Sequence, residues 1–194
     1  MLKLFMSPGS SSMAVHIALY EIGAPFEIVP ISFEKRENRS PDYLRINAEG
    51  KVPTLLVDER PLTEVAGILF YLAMLFPESH LALPAAPERQ ARIVSWMSFL
   101  ASSVHPARRK GLGHALAMYE IVEKRFCDHA FVLGDDYSIA DIHLFRLLWR
   151  FRNSLNPAFD KLPRLNAFYE RMMKRPAVSK VLDIESALGY ELPM

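Results

Sequence analysis

The chain has 194 residues, 51% of them apolar and 23% charged, a balance that supplies ample core for a soluble globular protein. Its 23 basic and 22 acidic side chains leave a net charge of +1, which gives no electrostatic reason to expect nucleic acid or an anionic membrane as a partner. Cys127 is the single cysteine, so an intrachain disulfide and a cysteine metal cage are both excluded. The six histidines lack metal-ligand spacing, and no glycine-rich phosphate loop is present. The apolar start, Met1 to Met6, breaks at Ser7-Pro8-Gly9 and is too short for a signal-peptide core. No stretch approaches the roughly 20 apolar residues of a membrane span, and a cytoplasmic protein without metal is expected.

Leu2 to Met6 reads as a short buried strand. Ser10, Ser11 and Ser12 are candidate caps for a helix from about Met13 to Ile22, with Gly23 as its left-handed C-terminal cap. Phe26 to Ile31 reads as a second strand, with Pro30 marking an edge or strand end. A charged loop at Lys35 to Arg39 precedes one or two helical turns from Pro41 to Ile46. Val52 to Val57 is a strand with Pro53 near its start, and Asp58 to Pro61 turns the chain, leaving the next strand short or absent. Thr63 is read as the cap of a helix from Glu64 to about Phe76, with Val65, Ile68, Leu69, Leu72 and Leu75 on its buried face.

The proline-bearing segment 77–87 is read as a domain linker, after which every signal is helical. A long helix is expected from Glu88 to about His105, stopping before Pro106, and a second from Leu112 to Cys127. A third opens at Tyr137-Ser138-Ile139-Ala140-Asp141-Ile142, with Ser138 as N-cap, Asp141 at N3 and Tyr137 against Ile142 as a staple. A fourth is read from Leu165 to Lys174 and a fifth from Val178 to Leu188. Cys127, at a helix end, is read as structural.

Three segments together resemble the cytosolic glutathione transferase family, bacterial type, beta-like or theta/zeta-like. They are Gly50-Lys51-Val52-Pro53-Thr54-Leu55 followed by Leu62-Thr63-Glu64, the Tyr137 to Ile142 box, and Ser7-Pro8-Gly9-Ser10-Ser11 followed by His16-Ile17-Ala18-Leu19. The resemblance implies an α/β thioredoxin-like N-terminal domain over 1–76, a linker at 77–87 and an all-α C-terminal domain over 88–194 that contributes to an electrophile site. It also implies glutathione as co-substrate, a small hydrophobic electrophile, a role in detoxification and a homodimer.

Several residues inherit expected roles from it. Pro53 is the expected cis-proline, leaving the backbone of Val52 to pair with the cysteinyl part of glutathione like an added strand. Glu64 is expected to hold the γ-glutamyl ammonium, while N–H groups at the helix start bind its carboxylate. Val65 stands where the family commonly has serine, so a backbone donor remains and a hydroxyl is lost. Lys51 is a candidate for the glycyl carboxylate, with Lys35 and Arg39 as rivals. A free thiol, with a pKa of about 8.5, is only about 3% ionised at pH 7. A hydroxyl at a helix N-terminus favours the thiolate, and Ser11 and Ser10 are both candidates for that role. Met6 takes the place where tyrosine-type members put their hydroxyl. His105 is expected to reach the cleft, and Arg108, Arg109 and Lys110 follow it. Two other readings stay open: a non-catalytic protein-binding module, and a glutathione-dependent isomerase.

Overall fold

A computed structural model describes residues 1–191. Its first half contains β1 (Leu2–Met6), α1 (Ser12–Ile22), β2 (Phe26–Pro30), α2 (Pro41–Ile46), β3 (Thr54–Val57), β4 (Arg60–Thr63) and α3 (Val65–Leu75). The strands form one sheet in the order β2-β1-β3-β4. β1 runs parallel to β2, with Leu4 opposite Ile28, and antiparallel to β3, with Phe5 opposite Thr54. β3 and β4 form an antiparallel hairpin.

The alternation of side chains along β1 decides how the layers stack. Leu2, Leu4 and Met6 join the main core with buried residues of α1 and α3. Phe5 points the other way, into a smaller cluster with Ile31, Tyr43, Val52 and Leu56. The sheet therefore lies between α1 and α3 on one face and α2 on the other.

Beyond this unit the chain forms α4 (Pro87–Phe99), α5 (His105–Ala107), α6 (Leu112–Phe126), α7 (Ile139–Leu155), α8 (Pro163–Met173) and α9 (Pro176–Leu188). Every residue of α7 from Ile139 to Phe151 is buried, as expected of a helix packed on all sides. α7 touches α1, α3, α4 and α8, and α9 packs on α1. No helix among the described residues is long and apolar enough to cross a membrane. The elements match a thioredoxin-like α/β half followed by a helical half.

Gly23 caps α1 with φ 73, as its position suggests. The capping box at Ser138 and Asp141 forms. The Asp141 carboxylate accepts from the N–H groups of Val132 (2.8 Å) and Ser138 (2.9 Å) and from the Ser138 hydroxyl (2.8 Å). Tyr137 stacks on His80, and Arg175 lies 3.6 Å from its ring centre.

Three expectations need correction. The strand after Asp58 is short, as one of the two expected outcomes had it, but the turn before it is tighter than Asp58 to Pro61: Asp58 and Glu59 alone make it, both with positive φ (48 and 63), as a two-residue hairpin turn requires. Arg60 and Pro61 then belong to β4, where a proline is tolerated because β4 is an edge strand. Thr63 does not cap α3; it is the last residue of β4, and Glu64 occupies the cap position. Finally, the helix through His105 does not stop before Pro106. A π-helical turn over Leu100–Val104, in which the His105 N–H bonds the Leu100 carbonyl, leads into α5 and a 3-10 turn at Arg108–Lys110. Proline lacks the N–H of a regular helix and clashes with the carbonyl four residues back, and here it follows a π-helical turn, within the first residues of α5.

The charged segment ending at Arg39 also carries a 3-10 turn (Glu37–Arg39). Cys127 lies exposed just past α6.

Candidate functional site

A cavity of about 280 Å³ opens between the two halves. From the first half it is lined by Ser11, Asn47, Glu49, Lys51, Val52, Pro53, Thr63, Glu64, Val65 and Ala66; from the helical half by Ala101, His105, Pro106, Arg109 and His143. Sequence reasoning named Ser11, Lys51, Val52, Pro53, Glu64, Val65, His105 and Arg109 among these. It named Ser10 too, which the structure leaves outside the lining.

The difference between the two serines lies in their hydrogen bonds. Ser10 is buried, its Oγ accepts from the Ser12 N–H (3.2 Å), and it lies 2.7 Å from Ser12 Oγ. Ser12 Oγ donates to the Ser7 carbonyl (3.1 Å), so the hydrogen in the Ser10–Ser12 pair comes from Ser10. Ser10 thus has its hydroxyl committed to the turn. Ser11, the residue before α1, makes no side-chain hydrogen bond among the described residues and is half-buried at the cavity wall. Of the serines read as candidate stabilisers, only Ser11 keeps a hydroxyl for something in the cavity.

The turn itself is held from the helical half. Arg146 on α7 donates through Nε to the Ser10 carbonyl (2.8 Å) and through a terminal nitrogen to the Gly9 carbonyl (3.2 Å). Glu185 on α9, fully buried, accepts from the Gly9 N–H (2.6 Å) and faces His16 Nδ1 (2.9 Å). A carboxylate only accepts, so His16 donates from Nδ1. Burial, with Arg150 nearby, pulls the Arg146 guanidinium down to about 9, which leaves it charged at neutral pH.

The Val52–Pro53 bond is cis. α2 fixes the loop before it: the Tyr43 hydroxyl (2.5 Å) and Asn47 Nδ2 (2.9 Å) both donate to the Lys51 carbonyl, and both reach Thr54 Oγ1 at 3.0 Å. Gly50 sits at φ +60, and a Cβ there would come within 2.6 Å of the Asn38 carbonyl oxygen, so this close approach needs glycine. Val52 itself makes no backbone bond to another described backbone group outside the strands. Lys51 pairs with Glu49 at 2.5 Å, a hydrogen bond that holds its ammonium above the ordinary lysine range. Its rivals are elsewhere: Arg39 donates to the Glu49 carbonyl, and neither Arg39 nor Lys35 lines the cavity.

Glu64 has φ 65 and ψ 123, a backbone conformation that costs a non-glycine residue roughly 1–3 kcal/mol and tends to occur at working sites. It places the carboxyl-bearing residue directly before α3. The N–H groups of Val65 and Ala66, in the first turn of α3, have no carbonyl four residues back within the helix and border the same cavity.

On the opposite wall His105 and Arg109 stand four residues apart along one helical run, with His143 of α7 beside them. Burial, aided by Arg146, Arg109 and Arg108, pushes His105 down to about 4; burial with Arg146 and His105 pushes His143 to about 3. Both rings are neutral at pH 7. His143, Arg146 and Glu185 have no place in the sequence motifs, and His16 enters them only as part of the segment after the serine turn, although each is a charged or polar residue buried on a helix.

Family models for the N-terminal domain of glutathione S-transferase (residues 1–74) and its C-terminal domain (residues 83–176) match the chain. It is 32% identical to the glutathione S-transferase GstA of Escherichia coli O157:H7, over 95% of this chain and 98% of that one. A glutathione transferase structure from Methylococcus capsulatus superposes with a TM-score of 0.86 at 32% identity, covering 96% of this chain and all (100%) of that one. A sphingomonad glutathione S-transferase complexed with glutathione superposes with a TM-score of 0.85 at 32% identity, covering 95% and 98%. A two-domain match in the same order, over nearly the whole length of each relative, leaves one assignment: the chain belongs to the glutathione S-transferase family, with the bacterial members.

Proposed function

We propose that the protein binds glutathione in this cavity and directs its thiolate at a small electrophile held against the helical half. The observation that carries the reading is the meeting, in one cavity, of the uncommitted Ser11 hydroxyl, the Val52–Pro53 segment and Glu64 with the first turn of α3. The sphingomonad relative complexed with glutathione supports the choice of ligand.

Each group has a task. The Glu64 carboxylate meets the γ-glutamyl ammonium, and the Val65 and Ala66 N–H groups at the positive end of α3 meet the α-carboxylate. Val52 lends its backbone to the cysteinyl residue, as one strand pairs with another. Lys51 takes the glycyl carboxylate. The thiol then lies at the start of α1, where the Ser11 hydroxyl and the helix dipole favour the thiolate. Lowering a thiol pKa by two units takes about 2.7 kcal/mol of preferential thiolate stabilisation, which a charge-assisted hydrogen bond with dipole support can reach. Val65 offers no side-chain hydroxyl, a loss of about 0.5–1.5 kcal/mol that weakens binding without abolishing it.

In the conjugation the thiolate sulfur attacks the electrophilic carbon and the leaving group departs, with no change of oxidation state. Neutral His105 borders the space where the electrophile sits. A homodimer, a cytoplasmic location and a detoxifying role go with this reading, and sedimentation velocity tests the first. The direct test of the site is calorimetry with Glu64→Ala. Glutathione affinity is expected to fall about tenfold or more; an unchanged affinity would remove Glu64 from the site.

A further inference from the structure

Gly9 and Ser10 are gripped from the helical half by two groups of opposite charge. Glu185 on α9 accepts from the Gly9 N–H (2.6 Å). Arg146 on α7 donates to the Gly9 carbonyl (3.2 Å) and, through Nε, to the Ser10 carbonyl (2.8 Å). The Ser10 carbonyl belongs to the peptide unit that leads into Ser11, so the guanidinium stands one peptide away from the serine at the cavity wall. Gly9 is held at φ 69, a left-handed conformation that sets the direction in which the chain enters α1.

A grip on two carbonyls does not need a charge. A neutral amide donor would satisfy a carbonyl at less cost, because a buried cation loses its hydration. Arg146 is buried, and burial is the main reason its guanidinium is pulled down to about 9. Around it stand Arg150 and His143 on α7, His105 and Arg108 in the run before α6, Tyr119 on α6 and Glu185 on α9. Glu185 is the one acid among these, and it already binds the Gly9 N–H and His16 of α1, so it offsets the charge of Arg146 only in part. That charge is felt in the cavity. After burial itself, it is the largest influence lowering His105 and His143, and both of these line the wall.

We propose that Arg146 is a positioning residue for the thiol: by holding the Gly9 and Ser10 carbonyls it fixes Ser11 at the cavity wall, and its buried charge adds to the stabilisation of the thiolate formed there. This rests on the glutathione reading above and on the place of Ser11 in it. A cation near a thiol favours the form that has released its proton. Set behind the turn, Arg146 does this without taking space from glutathione or the electrophile.

Substitutions at Arg146 separate the charge from the grip. Arg146→Lys keeps the charge at a single point in place of a planar fork, and Arg146→Gln keeps a donor without the charge. With glutathione bound, thiolate absorbance near about 240 nm is titrated from about pH 5.5 to about 8.5 in wild type and both variants. The midpoint is expected to rise by about one unit or more in Arg146→Gln, the low end of the effect of a nearby opposite charge, and by less than about half as much in Arg146→Lys. The kcat/KM with 1-chloro-2,4-dinitrobenzene, in which a carbon–sulfur bond forms, the carbon–chlorine bond breaks and chloride leaves, should follow the same midpoints. Arg146→Gln should then lose about tenfold near pH 6 and about twofold or less near pH 8.5. A purely structural arginine would lower the rate by one factor at every pH, or lower glutathione affinity alone, and either result overturns the proposal. So does a shift as large in the lysine variant as in the glutamine variant, or no shift in either. If Arg146→Gln does not fold by circular dichroism, Arg146→Met, which fills the space without a donor, is read in its place. Failure of both neutral variants to fold makes the residue structural and counts against the proposal. A lowered midpoint in wild type that the variants leave in place refutes only this inference. A wild type that binds no glutathione, or binds it with the thiol at its free value of about 8.5, refutes the parent reading.

Discussion

Glu185→Ala removes a carboxylate that joins α9 to the turn carrying Ser11. The group is fully buried and accepts from the Gly9 N–H at 2.6 Å and from His16 Nδ1 at 2.9 Å. Without it both donors stay buried with nothing to bind, and His16 already has its other ring nitrogen unpaired. Hydrogen bonds to a charged acceptor are worth about 1.5–3 kcal/mol each, and two are lost here. A loss of about 3–5 kcal/mol is therefore expected, against a total stability of roughly 5–15 kcal/mol for a protein of this kind. Glu185→Gln keeps the shape and one acceptor oxygen but sets an N–H against one of the two donors, so a smaller loss of about 1–3 kcal/mol is expected. Urea unfolding of wild type and both variants, followed by tryptophan fluorescence and by circular dichroism, measures the difference. A loss under about 1 kcal/mol for Glu185→Ala would refute the reasoning, because two buried donors would then have lost their acceptor at almost no cost.

Asp141→Ala takes the acceptor away from two N–H groups and one hydroxyl, and should destabilise the protein by about 2–4 kcal/mol in the same assay, with Asp141→Asn intermediate. Ser10→Ala breaks the bonds to the Ser12 N–H and hydroxyl, and should cost about 1–2 kcal/mol of stability; a shift below a few tenths would mean the turn does not depend on it. The pH dependence follows from His105 and His143, whose folded pKa values lie near 4 and 3, below the ordinary 6.5. Between those limits the unfolded chain binds more protons, so their contribution is complete above about pH 6.5 and is lost as the pH falls toward 4. Asp141, pushed up to about 7 chiefly by burial, acts in the opposite direction over the same interval. The informative quantity is thus the change in slope on His143→Gln, measured from about pH 7.5 to 5: a flatter acid loss is expected, and an unchanged slope would contradict the assignment.

What could be read from the sequence was local. The left-handed cap at Gly23, the box at Ser138 and Asp141 and the turn before α1 each occupy a few consecutive residues, and their chemistry is stated by those residues alone. β4 was obscured by Pro61, which argues against a strand unless the strand is known to be at an edge. The run through His105 was obscured by Pro106, because a π-helical turn ahead of a proline has no sequence signature. The grip on the serine turn joins Gly9 to a residue 176 positions away, a pairing that no window along the chain contains. A signal for it did exist. Glu185 falls four residues after Val181 and seven after Val178, on the buried stripe of α9, and a carboxylate there needs a partner. His143, Arg146 and Arg150 share a stripe of α7 in the same way, three and four residues apart, in a helix otherwise apolar toward its neighbours.

The central claim is that this cavity binds glutathione and ionises its thiol through Ser11. Thiolate absorbance near about 240 nm, titrated against pH with glutathione bound to wild type and to Ser11→Ala, tests it most directly. The account predicts a bound thiol ionised well below its free pKa of about 8.5 in wild type, and a midpoint raised by about one unit or more in the variant, which should still bind glutathione and remain folded. No binding by wild type at several times a roughly millimolar glutathione concentration, or the same midpoint in both proteins, would contradict it.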